Sequence, residues 1–114
     1  MPNDSAALDL AFQALADPAR RQMVARLSRG PASVSELAGP LPMSLPAVLQ
    51  HLQMLEASGL VQSQKTGRVR TCRIDPNALS AAEAWIAEQR ALWNDRLDRL
   101  EDFLADIQKE KDNG

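Results

Sequence analysis

The run from Ser44 to Val61, "SLPAVLQHLQMLEASGLV", constrains the fold more than any other stretch of this chain. A serine two positions before a proline marks a helix start, because the first turn leaves its amide hydrogens unbonded and proline lacks one to lose. Gly59 marks the stop, since glycine enters left-handed backbone without steric strain. Between these signals Val48, Leu52 and Leu55 recur at helical spacing and predict an inward stripe. Leu45, Pro46, Leu49, Gln50 and Gln53 then fall on the opposite side, near the N-terminal end. Two glutamines on that side call for a polar partner outside the chain's own core.

The neighbouring segments supply the context. Upstream, Ser33 and Glu36 form an S-x-x-E capping box for a short helix that ends at Ala38, and Gly39-Pro40 and Pro42 stop it. Two helices joined by a turn of about five residues have the spacing of a helix-turn-helix, whose second helix enters the DNA major groove by its N-terminal end. A helix start capped by Ser44 also carries partial positive charge toward phosphates. A glutamine amide pairs bidentately with adenine, which suits Gln50 and Gln53, and Leu49 can meet a thymine methyl, with Leu45 and Pro46 making apolar or shape contacts. Downstream, "LVQSQKTGRVRTCRI" alternates on both sides of Thr66-Gly67 and predicts a β-hairpin. Its charges are all positive: Lys65, Arg68, Arg70 and Arg73. It reads as a wing, with Lys65, Arg68 and Arg70 expected on phosphates.

The rest of the chain reads as helix. Leu8, Phe12 and Leu15 define an amphipathic segment from Ser5 to Ala16. Asp17-Pro18 opens a second helix, to Ser28, that buries Met23, Val24 and Leu27. After Asp75-Pro76-Asn77 breaks the hairpin, Ser80 and Glu83 make another capping-box pattern. Ile86, Trp93, Leu97, Leu100, Leu104 and Ile107 follow at intervals of 7, 4, 3, 4 and 3. That is a heptad seam, which a lone helix cannot bury. The expected architecture is a mainly α, winged helix-turn-helix domain over residues 1–114. It comprises an N-terminal helix in 1–16, a helical core in 17–59, a wing in 60–75, a last helix in 78–109 and a frayed tail in 110–114.

Charge separates along this plan. Residues 1–74 carry eight Lys/Arg against five Asp/Glu, and residues 75–114 carry five against ten. A basic working surface and a distinct acidic helix are therefore expected, although the whole chain is close to neutral at −2. Cys72 is the only cysteine, so no intrachain disulfide forms. No apolar run has the length of a membrane span and no signal-peptide pattern opens the chain, which points to the cytoplasm.

"MSLPAVLQHLQMLEASGLV" followed by "KTGRVRTCRI", together with "FQALADPARRQMVARL" upstream, resembles the winged-helix repressors of the ArsR type. The resemblance spans roughly residues 8–107. It implies a homodimeric transcriptional regulator that binds double-stranded operator DNA. It also implies a dimer interface formed by the first and last helices, here through Leu8, Phe12, Leu15, Ile86, Trp93, Leu97, Leu100, Leu104 and Ile107. One departure concerns the reading face: the family commonly has a serine and then a basic residue before its His-Leu pair, where this chain has Leu49 and Gln50. Many members sense metals through paired cysteines near the helix-turn-helix or through Asp/His pairs on the last helix. Val34 to Leu41 holds no cysteine and the last helix holds no histidine, so no metal or other cofactor is expected.

Other polar residues have plainer readings. Cys72 shares a strand face with Arg70 and Ile74 and reads as a half-buried core residue, with a redox-sensing thiol as the sharper alternative. His51 reads as a structural histidine, buried or near phosphate, because no nucleophile or oriented carboxylate accompanies it. No phosphate loop, dinucleotide fingerprint or triad is present, so no catalytic residues are expected and the chain is not read as an enzyme. Two alternatives stand beside the DNA reading. One is a protein-interaction module that uses the helix-turn-helix face or the acidic last helix. The other is a sensor whose small-molecule effector enters the dimer interface near Trp85 and Trp93. The basic wing favours DNA. Repression is favoured over activation, since a small dimer acts most simply by occupying a promoter.

Overall fold

A computed structural model describes residues 2–113, with side chains from Ala6 onward. The described elements are α1 (Pro2–Leu15), α2 (Pro18–Leu27), β1 (Ala32–Ser33), α3 (Val34–Ala38), α4 (Leu45–Ala57), β2 (Val61–Thr66), β3 (Val69–Ile74) and α5 (Ser80–Asn113). They fall into two compact units, one through Ala82 and one from Glu83.

In the first unit the helix starts are fixed by local chemistry. The Asp17 carboxylate accepts the Arg20 amide at 3.1 Å, and Pro18 occupies the first turn of α2. At α3 both halves of the capping box form: Ser33 Oγ accepts the Glu36 amide at 3.1 Å, and Glu36 Oε1 accepts the Ser33 amide at 3.2 Å. Arg26, in the last turn of α2, donates to the Gly30 carbonyl at 3.1 Å and pairs with Glu36 at 3.3 Å. This ties the end of one helix to the start of the next. At α4, Ser44 has extended backbone and its Oγ accepts the Ala47 amide at 3.4 Å. The inward stripe is complete, with Val48, Leu52 and Leu55 each 0% exposed. Burying an aliphatic side chain of this size contributes about 1.5–3 kcal/mol. Gly59, at φ +82°, turns the chain away after the Ser58 cap.

The sheet has the order β1-β3-β2, all antiparallel. Val61 pairs with Ile74 and Thr66 with Val69, so the tight turn is Gly67-Arg68. The hairpin therefore turns one residue later than the Thr66-Gly67 centre expected from alternation. Gly67 takes φ +63°, which a Gly-X two-residue loop requires at its first position. A third strand, not expected from the sequence, is β1: Ala32 and Ser33 pair with Cys72 and Thr71. The shared core includes Met23, Leu27, Ala32, Leu37, Leu60, Val61 and Cys72 with the α4 stripe.

α1 faces this unit through Ala11 and Ala14, both buried. Leu15 packs at the edge of the same core and Leu8 is half-buried, while Phe12 is exposed. The three large apolar residues thus do not share one environment.

The second unit is α5 from Glu83 onward. The chain reaches it through a 3-10 turn, Pro76–Leu79, capped by Asp75, whose carboxylate accepts the Asn77 amide at 3.0 Å. Ser80 already has helical dihedrals, φ −60° and ψ −40°. The expected capping box at Ser80 and Glu83 has no place here, because an N-cap must stand outside the helix. The helix also continues past Lys109 to Asn113, where a frayed tail was expected. Ile86, Trp93, Leu97, Leu100 and Leu104 are exposed along it and Ile107 is half-buried. Leu92 and Phe103, outside the predicted seam, are exposed as well. Among the described residues no helix is long and apolar enough to cross a membrane.

Candidate nucleic-acid interface

α3, the turn from Gly39 to Ser44, and α4 form the helix-turn-helix. The buried stripe of Val48, Leu52 and Leu55 sets the rotation of α4. Ser44, Leu45, Pro46, Leu49, Gln50 and Gln53 are all exposed on its other side. The Gln50 and Gln53 amides engage no hydrogen-bond partner among the described residues. Met54 and Ala57 extend the same exposed surface toward the C-terminal end, and neither was singled out from the sequence. This end of α4 therefore offers a capped N-terminus, two uncommitted amides and a small apolar patch.

The wing cations divide into two kinds. Lys65 lies exposed on β2, and Arg68 lies exposed in the turn. Arg70 is engaged within the chain. Its guanidinium pairs with Glu56 on α4, and its Nε donates to Ser63 Oγ at 3.0 Å. Ser63 Oγ in turn donates to Glu56. Arg70 is thereby a tie between the wing and the C-terminal half of α4. Arg73 is exposed opposite Gln62 in the ladder. Cys72, expected half-buried, is 0% exposed. Burial pushes its thiol pKa up, with Arg70 opposing and Glu56 adding to the rise.

A third group lies where α1, α2 and α4 meet. Arg20 donates from Nε to the Ala14 carbonyl at 2.7 Å and from Nη2 to the Gln13 carbonyl at 3.0 Å. Its Nη1 lies 3.1 Å from His51 Nδ1. Asp17 Oδ2 stands 3.8 Å from the same ring nitrogen. The Asp17 carboxyl is held below its usual pKa, first by the Arg20 amide and further by the His51 and Arg20 charges. His51 is thus half-buried between Arg20 and Asp17. Sequence reasoning missed the cluster, since Arg20 and His51 are 31 residues apart and no spacing rule joins them. Among the described residues, no group of three or more His, Cys, Asp or Glu is placed to hold a metal ion.

A helix-turn-helix with a basic hairpin beside its second helix defines a winged helix-turn-helix DNA-binding protein. Residues 15–64 match the family model of a helix-turn-helix domain. The HTH-type transcriptional regulator Rv2034 of Mycobacterium tuberculosis is 49% identical over 73 residues, covering 64% of this chain and 68% of that protein. A crystal structure of an ArsR family transcriptional regulator superposes with a TM-score of 0.74 at 55% identity, covering 77% of this chain and 97% of that one. The solution structure of a homodimeric winged helix-turn-helix DNA-binding domain from Mycobacterium bovis, a possible ArsR-family regulator, gives a TM-score of 0.58 at 26% identity, covering 79% and 82%. The chain belongs to the ArsR family of transcriptional regulators, as its motifs implied.

Proposed function

We propose that this chain is a homodimeric repressor that acts in the cytoplasm by occupying an inverted-repeat operator. The observation that carries this reading is the outward face of α4: Gln50 and Gln53 stand uncommitted beside a capped N-terminus, above a fully buried stripe. Gln50 reads a base edge, and Leu45, Pro46 and Leu49 make apolar or shape contacts. Gln53 lies nearly a turn further in and contributes less. Lys65 and Arg68 meet phosphates. The homodimeric relative and the exposed apolar side chains of α5 support association of two copies.

Selection of bound duplexes from a random pool with purified protein tests the proposal. The expected product is an inverted repeat with half-sites about 10–10.5 base pairs apart. Gln50→Ala should remove about 1–3 kcal/mol of discrimination at one base position in each half-site. An unchanged profile at equal affinity would mean that Gln50 does not read bases and that another face of α4 meets the groove.

A further inference from the structure

We propose that Arg20 and His51 form a proton-sensitive brace that positions α4, so that acid weakens operator binding by switching the partner of His51. The proposal rests on the reading of α4 as the operator-contacting helix.

The brace begins at the C-terminus of α1. The last carbonyls of a helix have no intrahelical donor and carry partial negative charge. Arg20 donates to the Ala14 carbonyl and to that of Gln13, which also accepts the Ala16 amide at 3.2 Å, and this fixes the guanidinium plane. Its remaining arm points at His51 Nδ1. A guanidinium has five donors and no acceptor, and it keeps its proton in proteins. Nδ1 must therefore present its lone pair, and the neutral ring carries its hydrogen on Nε2. In this state α1, α2 and α4 are joined through a single side chain.

Protonation removes that acceptor. A hydrogen on Nδ1 would face an Arg20 nitrogen across 3.1 Å, with positive charge on both groups. Asp17 Oδ2, 3.8 Å from Nδ1, is the available acceptor, and a small rotation of the ring reaches it. The proton exchanges a link between α4 and the α1–Arg20 assembly for a link between α4 and the α2 cap. The charged groups facing His51 are Arg20 and Asp17 from α2 and its cap. α1 presents the carbonyls that Arg20 already holds. Of the other elements packed on α4, α3 has Glu36 paired with Arg26, and the wing has Arg70 paired with Glu56. Gln50 is the next residue to His51, so a shift of partner is delivered beside the reading position.

Histidine is the side chain best suited to change charge within the physiological pH range. His51 is the only histidine in the sequence, so its ring resonances can be followed in the intact protein without assignment by mutation. Ring carbon and nitrogen shifts should report the Nε2–H tautomer when neutral. From about pH 8 to about pH 5.5, the amides of Gln13 to Ala16 should move with the midpoint of the ring. Over the same span wild-type affinity for the selected operator should fall about fivefold or more, while His51→Asn stays level. The asparagine amide oxygen replaces the Nδ1 acceptor and takes up no proton.

Several results would overturn the brace. One is a neutral Nδ1–H tautomer. Another is ring titration without movement of the α1 amides. A third is affinity that rises in acid in wild type but not in His51→Asn, which would make His51 a phosphate contact. If His51→Asn does not fold, the wild-type ring and amide titrations decide the question. If wild type selects no duplex at any pH, the operator reading fails, and the same titrations still settle the brace.

Discussion

Single residues in this protein owe their chemistry to what surrounds them, and Cys72 shows how strongly. The thiolate is the reactive form of cysteine, and burial disfavours it. With no exposed surface and a raised pKa, Cys72 should resist a maleimide reagent in the folded protein at about neutral pH and react fully in denaturant. Prompt stoichiometric labelling of the folded protein would instead favour the redox-sensing reading. Glu36 shows the opposite shift. Its carboxyl is held below the ordinary value, first by the Ser33 amide, then by the Ser33 hydroxyl and Arg26. Asp17 is lowered in the same direction. A folded-state pKa below the unfolded one gives stability that is present above the unfolded value and lost as pH falls through the folded one. The thermal midpoint should therefore drop in acid below about pH 4, well under the imidazole window. Glu36→Gln should flatten that drop, because the glutamine carries no charge to lose. An equal slope in the variant would show that the capping carboxylate contributes nothing to acid sensitivity.

At the scale of elements, the wing is a lever with a fixed root and a free tip. Arg70, Ser63 and Glu56 hold the root against α4, while Arg68 stands in the turn. Arg68→Ala should weaken specific and nonspecific DNA about equally and reduce the salt slope by about one. Altered sequence preference at an unchanged slope would place Arg68 on a base edge instead. The same contrast explains what could be read from the sequence. The α4 stripe, its Ser44 cap, the Ser33–Glu36 box and the hairpin were legible because each is defined by residues a few positions apart. The Arg70 tie was not legible because its partner, Glu56, lies fourteen residues away on another element. β1 escaped notice because a strand of two residues has no period. The inward side of α1 was obscured because alanines give a weak hydrophobic signal beside Leu8, Phe12 and Leu15. Ser80 matched a capping pattern, but the preceding turn had already wound the backbone into helix. The outward residues of the candidate site were legible for the same reason as the stripe, while the Arg20–His51 contact required the folded chain.

At the scale of the whole molecule, α5 poses the question that a single copy leaves unanswered. Ile86, Leu92, Trp93, Leu97, Leu100, Phe103 and Leu104 are 45–63% exposed along one helix. Contiguous apolar surface of this kind marks an association site in soluble proteins. Leu92 and Phe103 widen the band beyond a two-position seam, which suits a helix that packs against more than one neighbour. A second copy is the occupant expected here, and the relative from Mycobacterium bovis is homodimeric. Wild type should then sediment as a dimer at micromolar concentration. Leu97→Asp or Leu100→Asp would place an unpaired carboxylate in an apolar interface, at a cost of several kcal/mol, and should yield monomers. The helical core from α2 to β3 has its own buried cluster, so the monomer should keep its wing and its α4 geometry. What it should lose is the second reading helix. Its affinity for an inverted repeat would fall to that for a single half-site, while its preference within the half-site stayed the same. A wild-type protein that sediments as a stable monomer and still protects both half-sites would rule out this arrangement, because one α4 cannot occupy two major-groove segments a full turn apart.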